Sequence, residues 1–513
     1  MEAWQVTLTV MFVYIIFMIV LGYLAGRKFR KTLEDFYVLS RTAGFIVVFL
    51  AIASTYHSAF AFLTSVATYA TTGVTWWIGA MPWTTLAAVF GYYYGKRIFK
   101  LGKAKKFITP ADLLADFYGG NAIRVITAVI QAIFVIAYIV VQAVGLGIVF
   151  DIGSGGVIPY TYGSLILIMV TCLYLILGDL RAAYWTDVAQ GIWMYVGVWA
   201  AGLYLLYKFF PGGVAEVFTA ARAVNPALLT LQWKPEMLLG SILIYSFGLM
   251  VLPHLLIKYY ASKDVWTIKW SSVGTALYLS SFYIPTLFVG LGAAVLNAKG
   301  IPGILEAGFI KALQTKYGSA DAVMAYMIYN FTPPIFAGFL LAGAAAAAMS
   351  TLDSFLGATS MILTRDIYQR YVRPKASESE LIIVSRVLLL AFALIGWYLA
   401  LLKPGLIFDI TSIAVAGGLQ FVPAIIQAVL PTRRNYINRE GAIAGILAGS
   451  IVVMLLTQQT GKYFGIPPTY LYHAAIAALI GLAVNLVVTF LVRALTKPLP
   501  EDKIREYAEI LKS

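Results

Sequence analysis

The feature that most constrains this chain is the recurrence of apolar stretches near 20 residues long, the length an α-helix needs to cross a bilayer. About 13 of them stand near residues 4–26, 42–73, 76–95, 121–150, 160–178, 184–208, 237–257, 270–297, 329–363, 381–402, 404–430, 441–458 and 470–495, numbered below as spans 1 to 13. The charges fall mostly between them. With 61% hydrophobic and only 12% charged residues, the chain departs from soluble domains, in which about a quarter of residues are charged. It reads as an all-α polytopic membrane protein, because a helix satisfies its own backbone polar groups in lipid. The single cysteine, Cys172, lies inside an apolar run and three histidines stand far apart, which excludes a disulfide framework and a His/Cys metal site. With no P-loop in the sequence, an ATP-driven pump is excluded too.

The net charge of +14 points to orientation rather than to nucleic acid. Span 1 is preceded by Glu2 and followed by Arg27, Lys28, Arg30 and Lys31, as in an uncleaved anchor whose N-terminus is outside. Threading the later spans gathers Lys103/Lys105/Lys106, Lys258/Lys263/Lys269, Arg365/Arg370/Arg373/Lys375 and Arg433/Arg434/Arg439 on one side, the cytoplasmic one. Only Lys208, Arg222, Lys234, Lys299, Lys311, Lys316, Lys403 and Lys462 fall outside, so 29 of 37 basic residues are inside. Spans 2–6 and 7–11, five each and therefore of opposite orientation, have the hydropathy pattern of an inverted repeat. Six segments follow: residues 1–40, an extra span and loop; 41–208, the first five-helix repeat; 209–236, an outer loop; 237–430, the second repeat; 431–495, two extra spans; and 496–513, a tail that reads as a solvated amphipathic helix.

Two polar islands interrupt the apolar spans. In span 9, after five alanines, comes Met349-Ser350-Thr351-Leu352-Asp353-Ser354. Ala347, Ser350 and Thr351, spaced i, i+3, i+4, put one carbonyl and two hydroxyls on one helix face, a donor set suited to a hard cation such as sodium. Small residues also let helices pack closely, and hydroxyls can bond back to their own turn. In span 2 the run Ser54-Thr55-Tyr56-His57-Ser58-Ala59 needs partners at depth; either the helix breaks here and lines a cavity, or His57 and Tyr56 bond to neighbours in an intact helix. The pair Trp76–Trp77 and Trp83 read as an interfacial aromatic belt.

Four motifs make the chain recognisable. Gly178-Asp179-Leu180-Arg181-Ala182-Ala183-Tyr184-Trp185-Thr186-Asp187-Val188-Ala189-Gln190-Gly191 resembles the pattern GG-x-x-A-V-x-W-T-D-x-x-Q-G. Pro253-His254-Leu255-Leu256-Ile257-Lys258-Tyr259-Tyr260-Ala261-Ser262-Lys263-Asp264 resembles P-H-x-x-x-R-x-x-A-x-K-x. Residues 349–354 with Asp366-Ile367-Tyr368 are similar to M-S-T-x-D-S…D-I-Y, and Ser54–Ala59 stands at an A-x-x-x-S-A stretch. In that order they resemble the sodium:solute symporter family, which holds sodium/proline, sodium/pantothenate, acetate and sodium/glucose carriers. The resemblance implies a leucine-transporter-type core of two inverted five-helix repeats. It implies a sodium ion between a broken span 2 and span 9, held by the carbonyls of Ser54, His57 and Ala347 and the hydroxyls of Ser350 and Thr351. It places Tyr56, His57, Phe60, Tyr245, Gly248 and Pro253 at the solute, and Asp187 and Asp353 as candidates for the ion exit. Asp187 reads equally as a helix N-terminal charge, Asp353 as the partner of an inner-face Lys or Arg, and Arg181 as structural. The sodium/proline carriers have an Asp where Tyr56 stands, and its absence removes a partner for a substrate amine.

The reading is a sodium-coupled symporter, not an enzyme, in the plasma membrane with its C-terminus cytoplasmic. It imports a small organic solute, preferably a monocarboxylate or an amino acid, with sodium, solute and the lipid bilayer as its partners; neither nucleic acid nor an obligatory protein partner is indicated. A proton-coupled carrier of the same fold is one alternative, since His57 could titrate. A non-transporting solute sensor is another, which a long cytoplasmic domain would favour. A membrane enzyme lacks a nucleophile/base pair, Asp179, Asp187, His254 and Asp353 being scattered over several spans, and a channel lacks a filter motif.

Overall fold

The computed structural model describes residues 1–27, 32–403, 405–431 and 436–512; Lys28, Arg30, Lys31, Arg433, Arg434, Ser513 and the side chain of Asp179 lie outside the described residues. Among those residues nine helices are long and apolar enough to cross a membrane: Ala3–Gly26, Asn121–Gly153, Tyr160–Gly178, Arg181–Phe209, Val265–Lys299, Pro334–Val372, Glu378–Leu401, Arg439–Leu456 and Ala474–Leu495. Three more crossings are bent pairs: Phe45–Tyr56 with Phe60–Thr72 at 57°, Pro235–Val251 with Pro253–Ala261 at 50°, and Ile407–Leu419 with Val422–Val429 at 44°. The aromatic-rich helix Thr75–Lys105, 31 residues long, makes thirteen. These correspond one to one with the stretches expected from sequence.

Spans 5 and 6 turn back on each other. A Cβ added at Gly22 or Gly26 of span 1 would fall 2.8 Å from Tyr174 Cβ or 2.4 Å from Gly178 Cα, whereas Tyr14, two turns earlier, meets Gln190 and Trp193. Glycines here let two backbones touch.

The breaks in spans 2 and 7 differ in what holds them. In span 2, His57 leaves the helix at φ −90°, ψ 94°; the freed amides of Ala59 and Phe60 then donate to Gln142 Oε1 at 3.3 Å and to Ser58 Oγ at 3.1 Å, and a π-helical turn, Phe60–Thr64, follows. In span 7, Pro253 forces Leu252 to an extended ψ of 146°. The first helix of each group of five is therefore broken, as an inverted repeat requires, with span 11 bent in addition, and the fold is of the leucine-transporter type.

At the basic end, Arg124 of span 4 joins Asp112 at 2.6 Å to Asp366 at 2.5 Å, and Arg181 pairs with Asp35 at 2.9 Å, in keeping with its structural reading. The tail forms the expected helix, Glu501–Lys512, but it is not solvated all round. Tyr507 is fully buried and donates to Asp116 at 2.7 Å, while Lys105 pairs with Glu506; an apolar stripe one side chain wide is enough to dock it.

Candidate sodium and solute site

The break in span 2 faces the small-residue stretch of span 9. Ser350 Oγ donates to the Ser54 carbonyl at 3.2 Å and lies 3.3 Å from the Ala347 carbonyl. Thr351 Oγ1 stands 3.1 Å from the Thr55 carbonyl and 3.2 Å from that of Ala347. All five residues are buried to within 0% exposure. Three carbonyls and two hydroxyls thus lie within hydrogen-bond distance of one another across the contact of spans 2 and 9, a set of hard oxygen donors of the kind a small monovalent cation takes. Four of the five ligands expected from sequence meet here. Thr55 adds a carbonyl that the sequence did not single out, while the ring of His57, whose expected contribution to the ion is its carbonyl, lies against Phe282 and Tyr283 of span 8 with centroids 4.5 and 4.9 Å distant.

The residues expected at the solute, other than the ring of His57, form a second cluster on the side of the break away from the basic end. Tyr56 donates its hydroxyl to the Tyr245 carbonyl at 2.6 Å, and the Phe60 and Tyr245 rings stack at 5.2 Å. Gly248 lies flush with span 11, since a Cβ there would sit 2.2 Å from the Val415 carbonyl oxygen. Pro253 stands at the second break, a turn further along span 7. Trp76 and Trp83 complete this cluster rather than forming an interfacial belt: both are fully buried, 5.2 Å apart, with Trp76 5.3 Å from Phe60 and Trp83 4.8 Å from Tyr245. The belt reading fails for these two because the face of span 3 that carries them packs in the core, where buried indoles supply large apolar surfaces; Trp77 is only part-buried.

Toward the basic end the charged residues are arranged otherwise than expected. Lys258, counted among the solvated inner residues, is 4% exposed. Its ammonium donates to the Ala51 carbonyl at 2.6 Å, Asp187 at 3.0 Å, Ser354 Oγ at 3.1 Å and the Thr55 hydroxyl. Asp187 is accordingly an ion-pair partner inside the bundle, not a cap at a helix start. Asp353 does not pair with an inner-face Lys or Arg; it accepts from Tyr174 at 2.7 Å and from Thr186 at 3.4 Å, because the nearby lysine is taken by Asp187. Sequence reasoning missed Lys258 by ending span 7 at residue 257. The signal was its place in the 253–264 motif, where a basic residue follows four apolar or aromatic positions.

With that geometry in view, the model of the sodium:solute symporter family matches residues 36–449. The chain belongs to the sodium:solute symporter family. The osmoregulated proline transporter OpuE of Bacillus subtilis is 26% identical over 475 residues, covering 89% of this chain and 90% of OpuE. The sodium/proline symporter of Staphylococcus aureus (strain Newman) is 25% identical over 509 residues, covering 96% and 93%. A Na+-coupled sialic acid symporter, solved substrate-bound and outward-open, superposes with a TM-score of 0.79 at 18% identity, covering 97% of this chain and 99% of that one, which shows the shared fold. The protein is therefore a multi-pass membrane transporter of a sodium-coupled family, not an enzyme.

Proposed function

We propose that this protein is a sodium symporter that imports a small carboxylate-bearing solute, an amino acid or a monocarboxylate. The observation that carries the reading is the convergence of the Ser54, Thr55 and Ala347 carbonyls with the Ser350 and Thr351 hydroxyls across a broken helix. Sodium bound there draws spans 2 and 9 together and fixes the broken backbone beside which the solute sits. Tyr56, Phe60, Tyr245, Gly248 and Pro253, with Trp76 and Trp83, line that solute site; His57 contributes backbone, with its ring packed on span 8. The repeats occupy residues 41–208 and 237–430, the N-terminus is outside and the basic end with the tail is cytoplasmic, in the plasma membrane. An inside-negative potential of about 100 mV contributes about 2.3 kcal/mol per charge, and a tenfold sodium gradient about 1.4 kcal/mol, enough together to concentrate a neutral solute several hundredfold. The proline transporters among its relatives support the amino-acid class, while Tyr56 in place of an acidic residue leaves the choice between amino acids and simple acids to measurement.

The test is uptake by proteoliposomes of labelled L-proline, other amino acids, acetate and pyruvate under an inward sodium gradient, a potassium gradient and a proton gradient. Accumulation with sodium only is expected. Equal accumulation under the proton gradient without sodium sinks the sodium reading, and binding without accumulation of any bound solute leaves a sensor.

A further inference from the structure

The buried ammonium of Lys258 stands on the line between the sodium ligands and the cytoplasm. It bonds the Ala51 carbonyl, three residues before Ser54 on span 2, and the Ser354 hydroxyl, four residues after Ser350 on span 9, so it lies one helical turn inward across the same cleft. It shares Thr55 with the sodium set: the hydroxyl takes the ammonium while the carbonyl faces Thr351. Lys258 and Asp187 also line a small cavity, together with Tyr37, Tyr184, His254, Gly357 and Met361.

We propose, resting on the sodium reading above, that Lys258 is a tethered cation that gates the inner end of the ion path, its ammonium blocking the cleft and its charge weakening sodium binding. A sodium ion in the ligand set and an ammonium one turn away repel each other, at a depth where little water screens them. Asp187 holds the ammonium by ion pair and hydrogen bond, and Asp353, accepting from Tyr174 and Thr186, is the other carboxylate on this path. For sodium to leave inward, the Lys258 side chain must swing aside toward the wall of this cavity that carries the small residues Ala183, Gly357 and Ala358. Its four methylenes allow that swing without moving the helix backbone, at the loss of the hydrogen bonds to Ala51 and Ser354. The same repulsion then helps expel sodium into a cytoplasm that is poor in it.

Equilibrium binding of radioactive sodium to purified full-length protein tests this. Lys258→Met removes the charge and is expected to tighten sodium binding at least about tenfold, whereas Lys258→Arg, which keeps the charge, should stay within about threefold of wild type. Unchanged or weaker binding in Lys258→Met overturns the gate. Should that variant fail to fold because Asp187 is left unpaired, Lys258→Met with Asp187→Asn is read by dissociation kinetics, with sodium leaving at least about tenfold faster than from wild type if the block is real and at an unchanged rate if it is not. Ser350→Ala with Thr351→Ala separates the two readings. If wild type binds sodium no better than this double variant, the ion site itself is misassigned and the gate falls with it; if wild type binds and the double variant does not, a null result at Lys258 counts against the gate only.

Discussion

At the scale of single residues, the proposed ion site rests on oxygens that a substitution can remove one by one. Ser350→Ala with Thr351→Ala deletes two of five donors and leaves a protein whose packing is nearly unchanged, because both side chains are small and buried among alanines. Sodium-stimulated uptake should fall at least about a hundredfold, with far smaller loss of thermal stability; unaltered sodium dependence would remove these residues from the site. His57 should behave in the opposite way. Its ring fills space between Phe282 and Tyr283, so His57→Ala should cost on the order of 2–4 kcal/mol of stability through the cavity it leaves, with sodium affinity of the folded fraction unchanged. A shift in solute preference without loss of stability would return the ring to the solute site. These residues were legible in the sequence because hydroxyls at i and i+1 after an alanine run are conspicuous in an apolar span. Lys258 was not, because a lysine next to an apolar run is read as a loop unless a buried partner is known, and Asp187 lies 71 residues away. The same applies to Trp76 and Trp83, since indoles suit an interface and a core equally well.

At the scale of elements, the breaks in spans 2, 7 and 11 decide where backbone polar groups become available inside the bundle. Their causes differ in visibility. Pro253 announces the break in span 7, but the one in span 2 depends on Gln142 of span 4 accepting from a freed amide, a partner no local pattern reveals. Spans 7 and 11 lie backbone to backbone, with hypothetical Cβ atoms at Gly248 and Gly418 each 2.2 Å from a carbonyl oxygen of the other helix. Gly248→Ala should push the two helices apart, at about 1–3 kcal/mol, and misplace Tyr245 beside Phe60. Solute uptake is expected to drop at least about tenfold while sodium binding at spans 2 and 9 stays near wild type; a variant with normal uptake would show that the contact is not needed for the solute site.

At the scale of the whole molecule, outer segments tie the bundle together. Asp321, in the outer loop before span 9, is buried and accepts from Ser319 at 2.7 Å and from the Ile407 amide at the start of span 11 at 2.9 Å. Burial pushes its carboxyl up to about 6, above the unfolded value near 4. The folded protein therefore holds this proton more tightly than the unfolded chain does. The stability it contributes is complete below about pH 4 and is lost as pH rises through about 6, a change of up to about 3 kcal/mol. Asp321→Asn keeps both acceptor contacts without the charge, so thermal unfolding followed between about pH 4 and 7 should lose this slope in the variant; an identical pH profile would deny Asp321 the effect. The tail carries a different consequence. Tyr507, buried against Asp116 and, at 4.8 Å, Phe117, lies after all thirteen spans in the chain, so the ribosome makes it after every helix of the bundle has been synthesised. The basic face next to span 3 thus stays unfinished until synthesis is nearly over, and closing it falls late in biogenesis.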